Sequence, residues 1–281
     1  MQMKLVIDVS YYQRNLSDYQ WDLLATVIDG VIVRLSYGRS EDTRAKYLIE
    51  TKIKPRGIPY TGYHWSDPTS NLNAQADWVL EMMDKFQTPS IYLDMEQYWR
   101  DWDAYMAQDL AKAYETRFTD EQLYSFYYLF SRAVSLGTFL PVDHYCADWF
   151  VNKYSPTMRG WVDLTPSYWE ARYLRYYDPD ILEHYYSVNG KPLPDIISIK
   201  DIADDSMLDH PRQFESYIEI EGLKENIGYH LDWNVFPDED FYRMFGIDPN
   251  PAPEPHPQEL DKCRHGHSGE WSPGANYEVE K

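Results

Sequence analysis

The chain is short of several things, and each shortage closes off a class of protein. Among its 281 residues only Cys146 and Cys263 are cysteines, which is too few for a disulfide framework. Lys and Arg total 26 against 46 Asp and Glu, a formal charge of −20. That balance speaks against nucleic acid and anionic membrane surfaces as partners, since both demand basic patches. No apolar run is long enough to cross a bilayer. The first residues, Met1-Gln2-Met3-Lys4, carry no apolar h-region or small-residue cleavage site and lead straight into an apolar strand. The expectation is a protein made in the cytoplasm without a signal peptide. If it acts outside, a route other than general secretion releases it.

Aromatic residues are plentiful, with 26 Tyr and 10 Trp. They carry large buried area, and their faces also stack on sugars, although most are expected to be core. The length suits one large α/β domain with a well-buried interior. Apolar runs at residues 4–9, 30–35, 60–65 and 90–94 alternate with helical patterns at 18–26, 42–54 and 73–86. That alternation predicts parallel strands with helices outside. Ser17 or Asp18 is a candidate N-cap, and Thr119-x-x-Gln122 has the form of a capping box. Helical patterns follow at 105–115 and 120–136, and further strands are expected at 138–145, 169–173, 196–200 and 227–232. Residues 249–257 read as a polyproline spacer, and the remainder to 281 as a polar tail too short for a core. The Cys263-x-His265-x-His267 group has no fourth ligand nearby, so no metal is expected.

The stretch that organises the rest is Ile91-Tyr92-Leu93-Asp94-Met95-Glu96. On a strand, residues two apart share a face, so Asp94 and Glu96 project together while Met95 faces away. Two acids that close in a partly dry site cannot both ionise freely, and one is driven toward its protonated form. Two more candidate strands end in acids, at Asp8 and Asp232. In parallel β/α barrels the C-terminal strand ends converge on one face, where active sites sit. Glycoside hydrolysis needs such equipment: one acid to protonate the leaving oxygen, and a second group to stabilise the developing cation.

These residues also carry a resemblance. Ile7-Asp8-Val9-Ser10 with Gln13, the run Val31 to Gly38 with Asp42, Gly57 to His64, and Leu93-Asp94-Met95-Glu96 are similar to the N-terminal half of glycoside hydrolase family 25. Trp169-Glu170-Ala171-Arg172-Tyr173 and Leu231-Asp232-Trp233-Asn234-Val235-Phe236 resemble that family's later strands, so the likeness spans roughly residues 4–236. The family comprises the Chalaropsis-type lysozymes, or N-acetylmuramidases, among them phage endolysins. The resemblance implies a single irregular (β/α) TIM-like barrel over residues 1–248, with its active site at the C-terminal strand ends. It implies cleavage of the β-1,4 bond between N-acetylmuramic acid and N-acetylglucosamine in peptidoglycan. Glu96 would be the general acid/base, Asp94 its assistant, and Asp8 and Asp232 supporting carboxylates. No cofactor or metal is implied. Tyr37, Tyr63, Trp65, Tyr98 and Trp233 are candidate sugar platforms, and Arg34 either contacts substrate or pairs with a cleft acid. Where the family has a Trp-Gln pair before the closing motif, this chain has Ile199-Lys200-Asp201.

The partner so implied is the bacterial peptidoglycan glycan strand, reached through a holin-type lysis pore or from a phage particle, with no nucleic acid or membrane partner. Two competing readings are a non-catalytic glycan-binding or virion structural module on the same barrel, and another Asp-x-Glu glycosidase acting on chitin-like polymers. The second class extends its acidic motif upstream along the strand, where this chain has Ile91, Tyr92 and Leu93.

Overall fold

The structure, a computed structural model, describes residues 3–13, 16–107, 109–162, 168–171, 212–215 and 232–249. Among the described residues nine strands form one sheet: β1 (Met3–Val9), β2 (Gly30–Tyr37), β3 (Ser40–Glu41), β4 (Tyr60–Trp65), β5 (Ile91–Asp94), β6 (Val142–Ala147), β7 (Trp169–Ala171), β8 (Arg212–Glu215) and β9 (Asp232–Pro237). The order is β1-β9-β8-β7-β6-β5-β4-β2-β3, and β1 also pairs with β2. The sheet therefore curls, with β1 flanked by both β2 and β9. Strands β1, β2, β4, β5, β6, β7 and β8 pair in parallel, and β9 is antiparallel to both β1 and β8. This is a mixed α/β fold with a curled sheet, consistent with an irregular (β/α)-type fold.

Burial explains the strand composition. All of β5 is buried, as expected of a parallel strand covered on both faces. Its alternate residues separate into two layers. Ile91 and Leu93 join Leu5, Ile7, Val31, Val33 and Leu35 under the helices, whereas Tyr92 joins Val6, Ile32 and Phe236 inside the curl. The inside is filled by aromatic rings: Trp169 lies 5.2 Å from Tyr92 and 4.3 Å from Tyr145, and Phe236 lies 6.2 Å from Tyr92. Edge-to-face and tilted contacts of this kind suit the ring quadrupole. The interior is thus a packed aromatic floor.

The helices start where their caps dictate. Ser17 caps Asp18–Leu24 through a reciprocal box with Gln20, and Thr119 caps Asp120–Gly137 in the same way with Gln122. Leu72–Phe86 begins at Asn71 and packs against Asp120–Gly137 and β2. The helix expected over 105–115 is two, Trp102–Met106 and Leu110–Glu115, because Asp109 caps a new start. The strand expected from 138 begins at Val142, after Pro141. The expected strand at 196–200, the Ile199-Lys200-Asp201 departure, the first residues of 227–232, and the tail from 250 onward with Cys263, His265 and His267 lie outside the described residues. Among those described, no helix is long and apolar enough to cross a membrane.

Candidate active site

Asp94 closes β5, and Glu96 lies two residues on in extended backbone held by Met95 N–H to Tyr145 O (2.9 Å) and Ser66 N–H to Asp94 O (2.9 Å). Met95, between them, is fully buried. Asp94 is 3% exposed and its Oδ1 has no hydrogen-bond partner. Burial, then the charge of Glu96, pushes the Asp94 carboxyl well above the usual carboxylate range; Arg34 opposes the rise and Asp8 adds to it. Glu96 is half-buried, and burial together with the charge of Asp8 pushes it up to about 7 against an opposing hydrogen bond from Tyr145. The two acids behave as one titrating pair that holds a proton near neutral pH.

Asp8 lies near the end of β1, and its Cα pairs with that of Asp232 on β9. Because β9 is antiparallel, Asp232 stands at the strand's beginning and not, as expected from the sequence, at its end. Only a first residue can reach this rim on a strand that runs the other way. Asn234 follows on the same face of β9. Its Nδ2 donates to Asp8 Oδ2 (3.0 Å), and its Oδ1 accepts from Trp169 Nε1 (2.8 Å).

The other expected residues divide. Arg34 Nε donates to Asp42 Oδ2 at 2.7 Å, so it pairs with an acid directly after β3, and its guanidinium lies 5.5 Å from the Tyr12 ring. Asp42 also accepts from the backbone N–H groups of Tyr11 and Arg44. Tyr63 is buried beside Arg34, Asp8 and Asp94, and burial pushes its hydroxyl up. Trp65 lies 6.4 Å from Trp99, which stacks on Tyr105 at 3.7 Å. Tyr98 stacks on Tyr154 at 3.9 Å. Tyr37 is exposed at the rim with its ring 5.9 Å from Trp102, itself exposed. Trp233 requires a correction. It is fully buried with Leu5, Ile7 and Leu24 in the outer apolar layer, since a residue between inward-facing Asp232 and Asn234 must point outward. As packed, it offers no face to a sugar. His64 is likewise buried outside the rim, between Ser36 Oγ (2.8 Å) and Gln75 Oε1 (3.0 Å), and burial lowers it to about 4.

Residues 7–187 match the family model described as glycosyl hydrolases family 25. The chain belongs to that family. It is therefore a glycoside hydrolase by descent. The fold is similar to the catalytic domain of endolysin ply40 from bacteriophage P40 of Listeria monocytogenes, at 18% identity over 87% of this chain and 98% of that one, with a TM-score of 0.57. It is similar also to the modular autolysin LytC from Streptococcus pneumoniae (18% identity, 84% of this chain, 47% of that one, TM-score 0.57). A family GH25 lysozyme from Aspergillus fumigatus gives 15% identity, 88% of this chain, 100% of that one and a TM-score of 0.55. No curated protein matches the chain by sequence.

Three further residues at this candidate site were not singled out from sequence. Tyr145 reaches Glu96 from β6, and its only sequence signal is a place at the end of an apolar run. Asn234 sits inside the closing motif. Gln97 is buried, its Nε2 donating to Asp67 Oδ1 (3.0 Å), and its backbone is clamped by the Tyr127 hydroxyl.

Proposed function

We propose that the chain is a peptidoglycan hydrolase of the muramidase type, cleaving the β-1,4 bond between N-acetylmuramic acid and N-acetylglucosamine. One observation carries the reading: a carboxyl pair on a family 25 scaffold, both members raised, with the less buried Glu96 outermost. Glu96 protonates the glycosidic oxygen as the bond breaks, then accepts a proton from the incoming water. Asp94, with a buried and unpartnered oxygen, meets the 2-acetamido group of the sugar. Asp8 and Asp232 stabilise positive charge as it develops. Tyr37, Trp65 and Tyr98 line the cleft toward the glycan.

The substrate partner is the bacterial glycan strand, and the cell wall is the place of action, in the manner of an endolysin released through a lysis pore or carried on a phage particle. The catalytic unit is residues 1–248, with 249–281 a spacer and polar tail. A charge of −20 opposes tight unaided binding to an anionic wall, so delivery relies on a carrier or partner. The test is mass spectrometry of fragments from purified peptidoglycan after borohydride reduction. Reduced N-acetylmuramic acid at the new ends is the expected result. Reduced N-acetylglucosamine would overturn the bond assignment, and no release from several wall types would leave a glycan-binding role.

A further inference from the structure

Asn234 is fully buried and both ends of its amide are engaged: Oδ1 by Trp169 Nε1 at 2.8 Å, Nδ2 by Asp8 Oδ2 at 3.0 Å. The order of this chain is fixed by chemistry. An indole N–H can only donate, so the oxygen end of Asn234 must face Trp169. The amino end then faces Asp8 and requires an acceptor there. A buried amide locked in one orientation therefore donates to the Asp8 carboxylate at 3.0 Å, with a longer contact of 3.4 Å to the Asp232 carbonyl on its own strand.

We infer that Asn234 is a positioning residue: Trp169 orients its amide, and the amide holds Asp8 as a fixed, charged acceptor beside Glu96. The inference rests on Asp8 belonging to the hydrolytic site. Several elements bring ionisable groups to Asp8: Asp232 from β9, Tyr63 from β4, Asp94 from the end of β5 and Glu96 from the segment after it, while Arg34 of β2 acts on Tyr63 and Asp94. An N–H donor favours the charged form of the carboxylate it meets, and the charge of Asp8 helps to hold Glu96 in its acid form.

The experiment combines kinetics with carboxyl carbon-13 titration. Asn234→Ala is expected to lower kcat roughly tenfold to a hundredfold with KM near native, the loss of one hydrogen bond to a charge. In an Asp8→Asn background the same change lowers kcat no further, because the two residues act as one unit. The Asp8 carboxyl of folded Asn234→Ala takes up its proton at higher pH than in the native protein. Trp169→Phe, which keeps an aromatic ring but frees the amide to turn, gives the same shifts to a smaller extent and serves if Asn234→Ala does not fold. An unmoved Asp8 titration, or an undiminished kcat effect in the Asp8→Asn background, would overturn the inference. A native protein that releases no glycan would overturn only the muramidase reading, and the titration would still decide the role of Asn234.

Discussion

Asp8 and Asp232 stand opposite one another across the antiparallel β1–β9 pair, their Cα atoms in register. Directly opposed residues of such a pair have Cβ atoms about 5 Å apart on one face, where like charges destabilise the sheet. The chain accepts that arrangement where the charge of Asp8 also acts on Asp94 and Glu96, whose carboxyls are themselves raised. Four acids crowded on one rim make poor structural material. They suit a site whose work is to stabilise positive charge and deliver a proton.

The Glu96 proton sets the first prediction. With its carboxyl raised to about 7, hydrolysis is expected to fall as pH rises through that value, and Glu96→Gln to abolish fragment release. The same substitution should stabilise the protein, but only at higher pH. Between the ordinary value of 4.5 and about 7 the unfolded chain is charged at this residue while the folded chain keeps its proton, so stability is lost as pH rises through that window. Gln suffers no such loss. The gain is expected to be negligible near pH 4 and at most about 3 kcal/mol near pH 8. Thermal melts at both pH values check it, and an equal gain at both would contradict the burial of the Glu96 charge.

Tyr145 supports the charged form of Glu96, since its hydrogen bond lowers that carboxyl. Tyr145→Phe should therefore raise Glu96 further and move the alkaline limb of kcat/KM upward by roughly one pH unit. A pH–rate profile in which the limb stays or falls would exclude the contact as a determinant of the acid.

Much of this architecture is legible in the sequence, and the exceptions have physical causes. The strands β1, β2, β4 and β5 announce themselves as apolar runs, and the boxes Ser17/Gln20 and Thr119/Gln122 mark two helix starts. Strand direction is not legible: an alternating pattern reads the same both ways, so nothing around Asp232 reveals an antiparallel β9. Arg212–Glu215, with one apolar residue in Arg-Gln-Phe-Glu, carries no strand signal and pairs only because β7 and β9 flank it. Pairs brought together by long-range packing, Asn234 with Asp8 and Tyr145 with Glu96, are invisible to local spacing. The outward face of Trp233 could have been read, because Asp232 and Asn234 on either side of it look inward.

Tyr127 holds the backbone just beyond Glu96. Its hydroxyl donates to Gln97 O at 3.0 Å and accepts from Gln97 N–H at 3.1 Å, in a buried setting. Tyr127→Phe leaves both backbone groups unsatisfied and should destabilise the fold by about 1–3 kcal/mol. It should also lower kcat more than it raises KM, because Glu96 loses its fixed approach to the substrate. Urea denaturation and steady-state kinetics on one preparation test both. An unchanged kcat would mean that the loop is held adequately by the Gln97–Asp67 contact alone.

The two tryptophans Trp102 and Trp233 separate binding from packing. Trp102 is 44% exposed beside Tyr37 at the rim, so Trp102→Ala removes a stacking face and little buried area. KM for soluble glycan fragments should rise roughly tenfold, equivalent to about 1.4 kcal/mol, with the melting temperature hardly moved. Trp233 is fully buried under the helices, and Trp233→Ala should destabilise by about 3–5 kcal/mol through the cavity it leaves. Any Trp233→Ala protein that remains folded should keep a native KM, because the ring faces the outer layer and not the rim. A raised KM with unchanged stability for Trp233→Ala would reverse the assignment and return that residue to the cleft.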